Sequence, residues 1–275
     1  MGVATTSIPQ AVNTASNAVV NLESRARIRW VGTVALADRR CLETGSVTTR
    51  AMTTSFAGFR FPPEVISVAV RRHLSLSYRD VEELLAERGV TVDHVTVYRW
   101  VQRFTPEFIE AARPCRHVPG DRWFVDETYL KIVGKWACLY RAVDQHGQVI
   151  DVLLSARRDL PAARRFFTLA LQAGAVPVEV NTDRAPAYPR VLDELVPSAL
   201  HTVERHANNP IEADHGRLKA RLRPTCGLKR HRSAQVLAAG HAFVQNLRRG
   251  HYEIATETPA RHRLRTAFDD LALSI

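Results

Sequence analysis

Asn208-Asn-Pro-Ile-Glu-Ala-Asp-His-Gly-Arg-Leu-Lys219 is the segment around which this sequence is organised. Asn209 followed by Pro210 predicts the start of a helix, because Asn caps free backbone N–H groups and Pro is tolerated at the first helical position. At helical spacing, one face of this helix carries Glu212, His215, Gly216 and Lys219. A carboxylate and a lysine two turns apart suit a site that binds a metal ion and a phosphate backbone.

The composition favours a folded protein that binds a polyanion. The chain has 275 residues, 45% of them hydrophobic, which is enough for one main domain and a smaller one. Its 38 Lys and Arg residues against 28 Asp and Glu residues give a formal net charge of +10. Such a charge indicates nucleic acid or an anionic membrane surface. Since no apolar run approaches the roughly 18 residues of a membrane span, we expect nucleic acid and no membrane.

The cysteines argue against two classes of small protein. Their positions are Cys41, Cys115, Cys138 and Cys226, and no two of them form a Cys-x-x-Cys pair. This scatter disfavours a zinc ribbon and a disulfide framework, and it fits a reducing compartment. We therefore expect the protein in the cytoplasm, associated with the nucleoid.

Residues 1–56 predict no regular domain and are interpreted as a poorly structured N-terminal extension. Met1 and Met52 are the two methionines, and clear periodicity begins just after Met52. One interpretation is that translation starts at Met52 and that residues 1–51 are an upstream extension. The other, of equal weight, is a mobile basic arm.

Residues 57–105 predict a small all-α domain of the helix-turn-helix type. Three short helices are indicated by apolar residues at helical spacing, and Gly89 lies in the turn before the last of them. In such a domain the last helix enters the major groove of DNA. The candidates for base or phosphate contact are Arg99, Gln102 and Arg103. The alternative is a plain three-helix bundle with a solvated basic face.

After a predicted linker at residues 106–121, the pattern changes from helical to β. Three strands separated by tight turns are followed by helix, strand, helix, strand and helix. This is the element order of an RNase H-like fold, and it predicts an α/β catalytic core over residues 122–252, with a mixed five-stranded sheet and flanking helices. Residues 253–275 are interpreted as a C-terminal tail.

Three acidic residues lie where a metal-dependent phosphodiesterase needs them. Asp126 is on the first predicted strand, Asp183 ends the fourth, and Glu212 lies on the later helix. An acid in a buried strand is costly unless a cation neutralises it. Mg²⁺ prefers oxygen ligands, and two such ions about 3.5–4 Å apart can stabilise both the attacking and the leaving oxygen. The predicted catalytic and metal-binding residues are therefore Asp126, Asp183 and Glu212, with Mn²⁺ expected to replace Mg²⁺.

Other acids are weaker candidates for the same site. Strand alternation should turn Glu127 to the face opposite Asp126. Asp144 lies in a turn, where Asp is common, and Asp159 suits a helix cap. Asp214 should face away from Glu212.

A basic segment begins within the predicted helix that carries Glu212 and continues beyond it. Residues 216–249 contain nine Lys or Arg residues and no Asp or Glu, whereas a solvated face normally mixes signs. The candidates for DNA contact here are His215, Lys219, Arg223, Lys229 and Arg230. His215 has the alternative role of positioning a neighbouring carboxylate. A zinc site made by His201, His206 and His215 is a further, disfavoured alternative, since no cysteine lies nearby.

At these residues the sequence resembles the DDE transposases of bacterial insertion sequences, and within them insertion sequence family six. The resemblance spans residues 56–252. It rests on segments with specific motifs, which are Ser77–Gly89, Val125–Tyr129, Gly134–Trp136, Leu139–Asp144, Asn181–Tyr188, Asn208–His215 and Gly227–Lys229.

The resemblance implies that Asp126, Asp183 and Glu212 form a DDE triad with Mg²⁺ on an RNase H-like fold. It implies that the N-terminal helices bind the terminal inverted repeats of the element in double-stranded DNA. Cleavage would free 3′-hydroxyls that are then joined to target DNA, commonly by replicative transposition through cointegrates. Joining two ends suggests a homodimer or a larger oligomer on DNA. Lys219 matches a basic position that contacts DNA in such enzymes.

One departure from the family pattern keeps other functions open. Asp183 and Glu212 are separated by 28 residues, fewer than the family spacing, and the loop near Leu195–Leu200 accounts for the difference. A catalytically inactive DNA-binding relative that represses transposition is therefore the first alternative. A nuclease without joining activity is the second.

Overall fold

The computed structural model describes residues 54–203, 209–223 and 227–275, without the side chains of Asn209 and Pro210. Apart from residues 54–56, the predicted N-terminal extension lies outside the described residues, as do His206 and the predicted capping by Asn209. Within the described parts of the chain, no helix is both long enough and apolar enough to cross a bilayer.

Up to residue 222 the order of helices and strands is the predicted one. The helices are α1 (Pro63–His73), α2 (Tyr78–Ala86), α3 (His94–Ala112), α4 (Leu160–Leu171), α5 (Ala187–Leu195), α6 (Asn209–Leu222), α7 (His231–Arg249) and α8 (Ala260–Ala272). The strands are β1 (Arg122–Ile132), β2 (Lys135–Asp144), β3 (Val149–Ser155), β4 (Glu179–Asn181) and β5 (Leu200–Thr202).

The five strands form one mixed sheet in the order β3-β2-β1-β4-β5. β1, β2 and β3 are an antiparallel meander, whereas β4 and β5 run parallel to β1. The predicted RNase H-like α/β core with flanking helices is confirmed by this sheet. β4 pairs with β1 only at Arg122–Phe124, so the second half of β1 extends past its neighbour on that side.

Two tight turns hold the meander in register. Val133 and Gly134 both have positive φ, 48° and 79°, which matches the right-handed twist of a two-residue hairpin between β1 and β2. At the β2–β3 turn, the Asp144 carboxylate accepts backbone N–H bonds from His146 (2.9 Å) and Gln148 (2.8 Å). The prediction that Asp144 is a turn residue is therefore confirmed.

Each face of the sheet is covered by a pair of helices. Trp123 and Val125 on β1 pack with Phe166, Phe167 and Tyr188 of α4 and α5. The opposite face packs with α6 and α7 through a cluster that contains Leu130, Ile132, Leu139, Ile211 and Leu218. The two acids of β1, Asp126 and Glu127, therefore lie on a strand that is held between two hydrophobic cores.

α7 also protects the outer strand of the sheet. The Gln235 side chain pairs with Leu154 N (2.7 Å) and Val152 O (3.0 Å), and the Asn246 side chain pairs with N and O of Val149 at 2.8 Å. These amides satisfy strand groups that a sheet edge otherwise leaves open to another chain.

A third hydrophobic core is formed by the N-terminal helices together with α7 and α8, and two of its helices extend beyond the predicted domain boundaries. α3 continues through Pro106 to Ala112, because Phe108 and Ala112 extend its buried apolar stripe beyond the proline. Part of the predicted linker (residues 106–121) is therefore helix. The predicted tail (residues 253–275) contains α8, which packs against α1, α3 and α7 through Phe268 and Leu271. The three N-terminal helices exist as predicted, while the helix-turn-helix function stays a prediction.

We expect Phe268→Ala to lower the free energy of unfolding by about 3–5 kcal/mol, the usual cost of removing a buried aromatic ring. Phe268 is fully buried, with its ring centroid 4.9 Å from that of Phe108 and 5.7 Å from that of Phe243. Urea denaturation measures the loss. The matched control is Leu273→Ala, at a side chain that is 86% exposed, with an expected change within about 0.5 kcal/mol. Equal effects of the two variants would contradict the packing of α8.

Candidate active site

Asp126 lies in the middle of β1, opposite Arg141 of β2. Burial raises the pKa of its carboxyl group to about 6, and the negative charges of Glu127, Asp183 and Glu212 add to the effect. A carboxyl group that is costly to ionise among other acids is typical of a cation-binding or catalytic site.

Asp183 follows the carboxyl end of β4, beside β1. Its Oδ1 accepts the backbone N–H of Ala185 at 2.9 Å, which fixes the carboxylate at the start of the turn into α5. Its Oδ2 accepts a 2.5 Å bond from Nη2 of Arg158. The side chain is 38% exposed, so one side of it remains open to solvent.

A group of carboxylates with metal-ligand spacing is formed by Asp126, Glu127 and Asp183. One oxygen from each lies within 4.8 Å of the others. The inclusion of Glu127 corrects the expectation that strand alternation removes it from the site. Because β4 ends its pairing at Phe124, side chains from both faces of β1 reach the region beside Asp183.

Arg158, in the loop between β3 and α4, contacts two of these acids. Its Nε and Nη2 donate to the two oxygens of Glu127 at 3.2 and 3.0 Å, and Nη2 also donates to Asp183. The sequence pattern led us to set Glu127 aside as a weaker candidate, and it did not single out Arg158. The adjacent pair Asp126-Glu127 was a usable signal, whereas nothing in the spacing of Arg158 relates it to the acids.

Glu212 lies in the first turn of α6 and is exposed. It is close enough for its charge to raise the pKa of Asp126, but among the described residues the close carboxylate group does not include it. The structure thus brings together two of the three predicted acids and places the third on the neighbouring helix.

His215 is on α6, one turn beyond Glu212, and is 6% exposed. Its Nδ1 lies 3.6 Å from Oδ2 of Asp126. Burial, with help from the charge of Arg141, lowers the pKa of this imidazole to about 4, so the ring is neutral near pH 7. This position favours the role of orienting a carboxylate over direct contact with a DNA phosphate.

A buried ion pair joins α6 to the sheet. Arg141 of β2 is fully buried and contacts the Asp214 carboxylate, which is 1% exposed. Arg249 of α7 donates to the other oxygen of Asp214 at 2.9 Å and to the carbonyl of Gly147. Asp214 faces the sheet while Glu212 is exposed, which agrees with the expectation that the two side chains point in different directions.

The other predicted DNA contacts are distributed over two surfaces. Four exposed cations lie on α6 or just beyond it, namely Lys219, Arg223, Lys229 and Arg230. On α3, Arg99 and Arg103 are exposed, and Arg103 pairs with Glu107 at 2.9 Å. Gln102 is half-buried near the hydroxyl of Tyr78. Gln102 is therefore less available for DNA than its two neighbours.

The residues present fit a hard divalent cation. Three carboxylates supply the oxygen ligands that Mg²⁺ and Mn²⁺ prefer, and their oxygens converge within 4.8 Å. Among the described residues, no histidine or cysteine joins this group. The zinc alternative stays an untested expectation, because His206 lies outside the described residues.

Comparison with known proteins matches this part of the chain to a family. The family model described as a DDE domain matches residues 120–251. A transposase for insertion sequence-like element IS431mec of Staphylococcus aureus is 38% identical over 169 residues, which cover 59% of this chain and 75% of that protein. The transposase for insertion sequence element IS257 in transposon Tn4003 of S. aureus has the same identity and coverage.

Solved structures of viral integrases resemble the chain more distantly. The catalytic core domain of HTLV-2 integrase in complex with magnesium is 20% identical with a TM-score of 0.39, covering 47% of this chain and 88% of that one. A simian T-cell lymphotropic virus intasome in complex with PP2A regulatory subunit B56 gamma is 17% identical with a TM-score of 0.41. It covers 65% of this chain and 72% of that one.

We predict that replacing one member of the buried Arg141–Asp214 pair by an apolar residue lowers the free energy of unfolding by about 3–5 kcal/mol. The remaining charge is then left unpaired in the interior. The single variants are Arg141→Met and Asp214→Leu, compared by urea denaturation. The double variant should cost less than the sum of the two, because no lone charge remains on either side of the pair.

The matched control for this cycle is Asp269→Asn. It breaks an Arg265–Asp269 contact of 3.6 Å in which both side chains are more than half exposed, with an expected cost below about 1 kcal/mol. Strict additivity of the Arg141 and Asp214 variants would contradict the coupling.

Proposed function

The chain belongs to the DDE transposases of bacterial insertion sequences, in the family six group, and we propose that it cuts and joins DNA at the ends of its element. In the proposed reaction it frees 3′-hydroxyls at the terminal inverted repeats and joins them to target DNA. The observation that carries the proposal is the convergence of Asp126 and Asp183, with Glu127, where parallel strands β1 and β4 lie side by side.

We propose that Asp126, Asp183 and Glu212 hold Mg²⁺, with Mn²⁺ able to replace it. The bound ions supply electrostatic stabilisation of the oxygens that attack and leave phosphorus. In the cleavage step water attacks the phosphorus and the 3′-oxygen of the element end leaves as a hydroxyl. In the joining step that 3′-hydroxyl attacks a target phosphorus and a 3′-oxygen of the target strand leaves. Neither step needs a covalent bond between protein and DNA.

The chain's other residues have supporting roles in this proposal. His215 orients the Asp126 carboxylate from a distance of 3.6 Å. Arg158 keeps Glu127 and Asp183 in place by its hydrogen bonds to both. Lys219, seven residues after Glu212 on α6, holds a DNA phosphate next to the acids.

DNA binding and assembly complete the proposal. Arg99 and Arg103 on α3 contact the inverted repeats, and Arg223, Lys229 and Arg230 contact the backbone near the acids. We expect this binding to weaken steeply with salt, since phosphate contacts release counterions. Joining two ends calls for a dimer or a larger assembly on DNA. The proposed outcome is a replicative cointegrate, and the proposed place of action is the nucleoid in the cytoplasm.

One observation favours the alternative of an inactive DNA-binding repressor. Glu212 lies outside the close carboxylate group of the described residues, and the segment from Asp183 to Glu212 is short for the family. A repressor of this kind would bind the element ends and leave them uncut.

The test compares Asp126→Asn with wild type on DNA taken from the flanks of the protein's own gene. We expect cleavage to disappear with Mg²⁺ and with Mn²⁺, because the neutral amide is a poor ligand for a divalent cation, while the affinity for the ends in a gel shift stays within about twofold. Paramagnetic resonance of Mn²⁺ provides a separate measure of metal binding, which we expect to weaken in the variant.

The matched control is Asp269→Asn on α8, which should cleave like wild type. Equal loss of binding and cleavage in Asp126→Asn would show that Asp126 is structural. Binding without cleavage by wild type would establish the repressor instead.

A further inference from the structure

An exposed tryptophan on the β1–β2 hairpin has no role in the proposed chemistry. Trp136 is 65% exposed and Tyr129 is 48% exposed, whereas Trp100 and Trp123 are buried. Trp136 ends the segment Gly134-Lys-Trp136, one of the motifs that carry the family resemblance. Large aromatic side chains that stay in solvent are typical of surfaces that bind a partner.

The two rings lie on the same face of the hairpin. Lys131 pairs directly with Trp136 across the strands, and Tyr129 is two residues from Lys131, so all three side chains point to the same side. The Lys131 ammonium lies 5.9 Å from the centroid of the Trp136 ring. Since the pairing of β4 with β1 ends at Phe124, β4 does not cover this part of β1.

These residues line a cleft of about 490 Å³ along the free part of β1. The cleft runs from Glu127 to Trp136, and its other wall is formed by Lys219 of α6 and Leu228. Leu228 closes one end, since its carbonyl accepts a 2.9 Å bond from the backbone N–H of Val133. The cleft therefore has one member of the carboxylate group, Glu127, at one end and leads away from it along the strand.

The positive charge of the cleft suits a polyanion, and its aromatic side chains suit flat rings such as DNA bases. Among the described residues, its lining contains two lysines, Lys131 and Lys219, and one acid, Glu127. The acid is 3% exposed and pairs with Arg158 at 3.0 Å, so the lysines dominate the potential. An aromatic face and a cation side by side are the elements with which proteins bind unstacked bases and their phosphates.

We propose that this cleft binds one unstacked base of the element end, next to the phosphate that is cut, with the base stacked on Trp136. Tyr129 provides the neighbouring apolar surface, and Lys131 and Lys219 hold the adjoining phosphates. Stacking on the protein offsets the cost of taking the base out of the duplex, and it opens the scissile phosphate to the acids. This inference rests on the proposed function.

The experiment measures affinity by gel shift in EDTA, so that cleavage plays no part in it. The full chain is mixed with three duplexes that carry one end of the element and differ at the terminal base of the inverted repeat. One duplex is fully paired there, one has a mismatched base, and one has an abasic site opposite the same partner base. We expect wild type to bind the mismatched duplex about tenfold more tightly than the other two, because only that duplex has an unpaired base at the altered position; in the abasic duplex the unpaired base lies in the opposite strand.

Trp136→Ala should lose this tenfold preference, and Trp136→Phe should keep most of it, because the ring is the part that stacks. The control variant Leu273→Ala removes an exposed side chain at the end of α8. It should keep the whole tenfold preference. Since Trp136 is exposed, the variants should fold, and their urea midpoints check this.

Three results would overturn the inference. The first is a preference that survives in Trp136→Ala. The second is an abasic duplex that binds as tightly as the mismatched one, which would show that DNA flexibility rather than stacking is recognised. The third is wild type without any preference, as expected if the cleft takes a peptide strand instead. Failure of the proposed cleavage would appear separately, in the assay with Mg²⁺.

Discussion

The buried ion pair between Arg141 and Asp214 is the contact on which the arrangement of the site depends. Arg141 lies opposite Asp126 in the sheet, and Asp214 is two residues from Glu212 on α6. The pair therefore fixes the distance between the strand that carries one acid and the helix that carries another. Its two charges are almost entirely removed from water, so each of them needs the other, and the bond from Arg249 adds a tie to α7. An ion pair of this kind gives a specific alignment more than it gives net stability.

The early end of β4 explains both the acidic site and the cleft beside it. β1 continues for eight residues, 125–132, beyond its pairing with β4. Near the start of this stretch the open edge lets Glu127 join Asp126 and Asp183. Further along the strand, the same edge exposes the hairpin face with Tyr129 and Trp136. A short strand beside a long one thus produces a place for catalytic acids and a binding surface that leads to it.

The sequence was sufficient to predict the element order up to α6, because strand alternation, turn residues and helical spacing are local signals. Asp159 capping α4 is such a case, as its carboxylate accepts the N–H of Ala162 at 3.0 Å. The role of Glu127 was not predictable from alternation alone, since it depends on where a different strand stops pairing. Nor were α8 and the extension of α3, because each is stabilised by long-range contacts such as that of Phe268 with Phe108. The DNA contacts of α3 and α6 remain predictions.

The most direct measurement of the central claim is cleavage and joining of element ends by Glu212→Gln and Glu127→Gln, each compared with wild type in Mg²⁺ and in Mn²⁺. If Glu212 is the third catalytic acid, the Glu212→Gln variant binds the ends and forms neither product, whereas Glu127→Gln, whose carboxylate is paired with Arg158, keeps measurable activity with both metals. Full activity of Glu212→Gln together with loss of both products in Glu127→Gln would contradict the account and assign the third acid to Glu127.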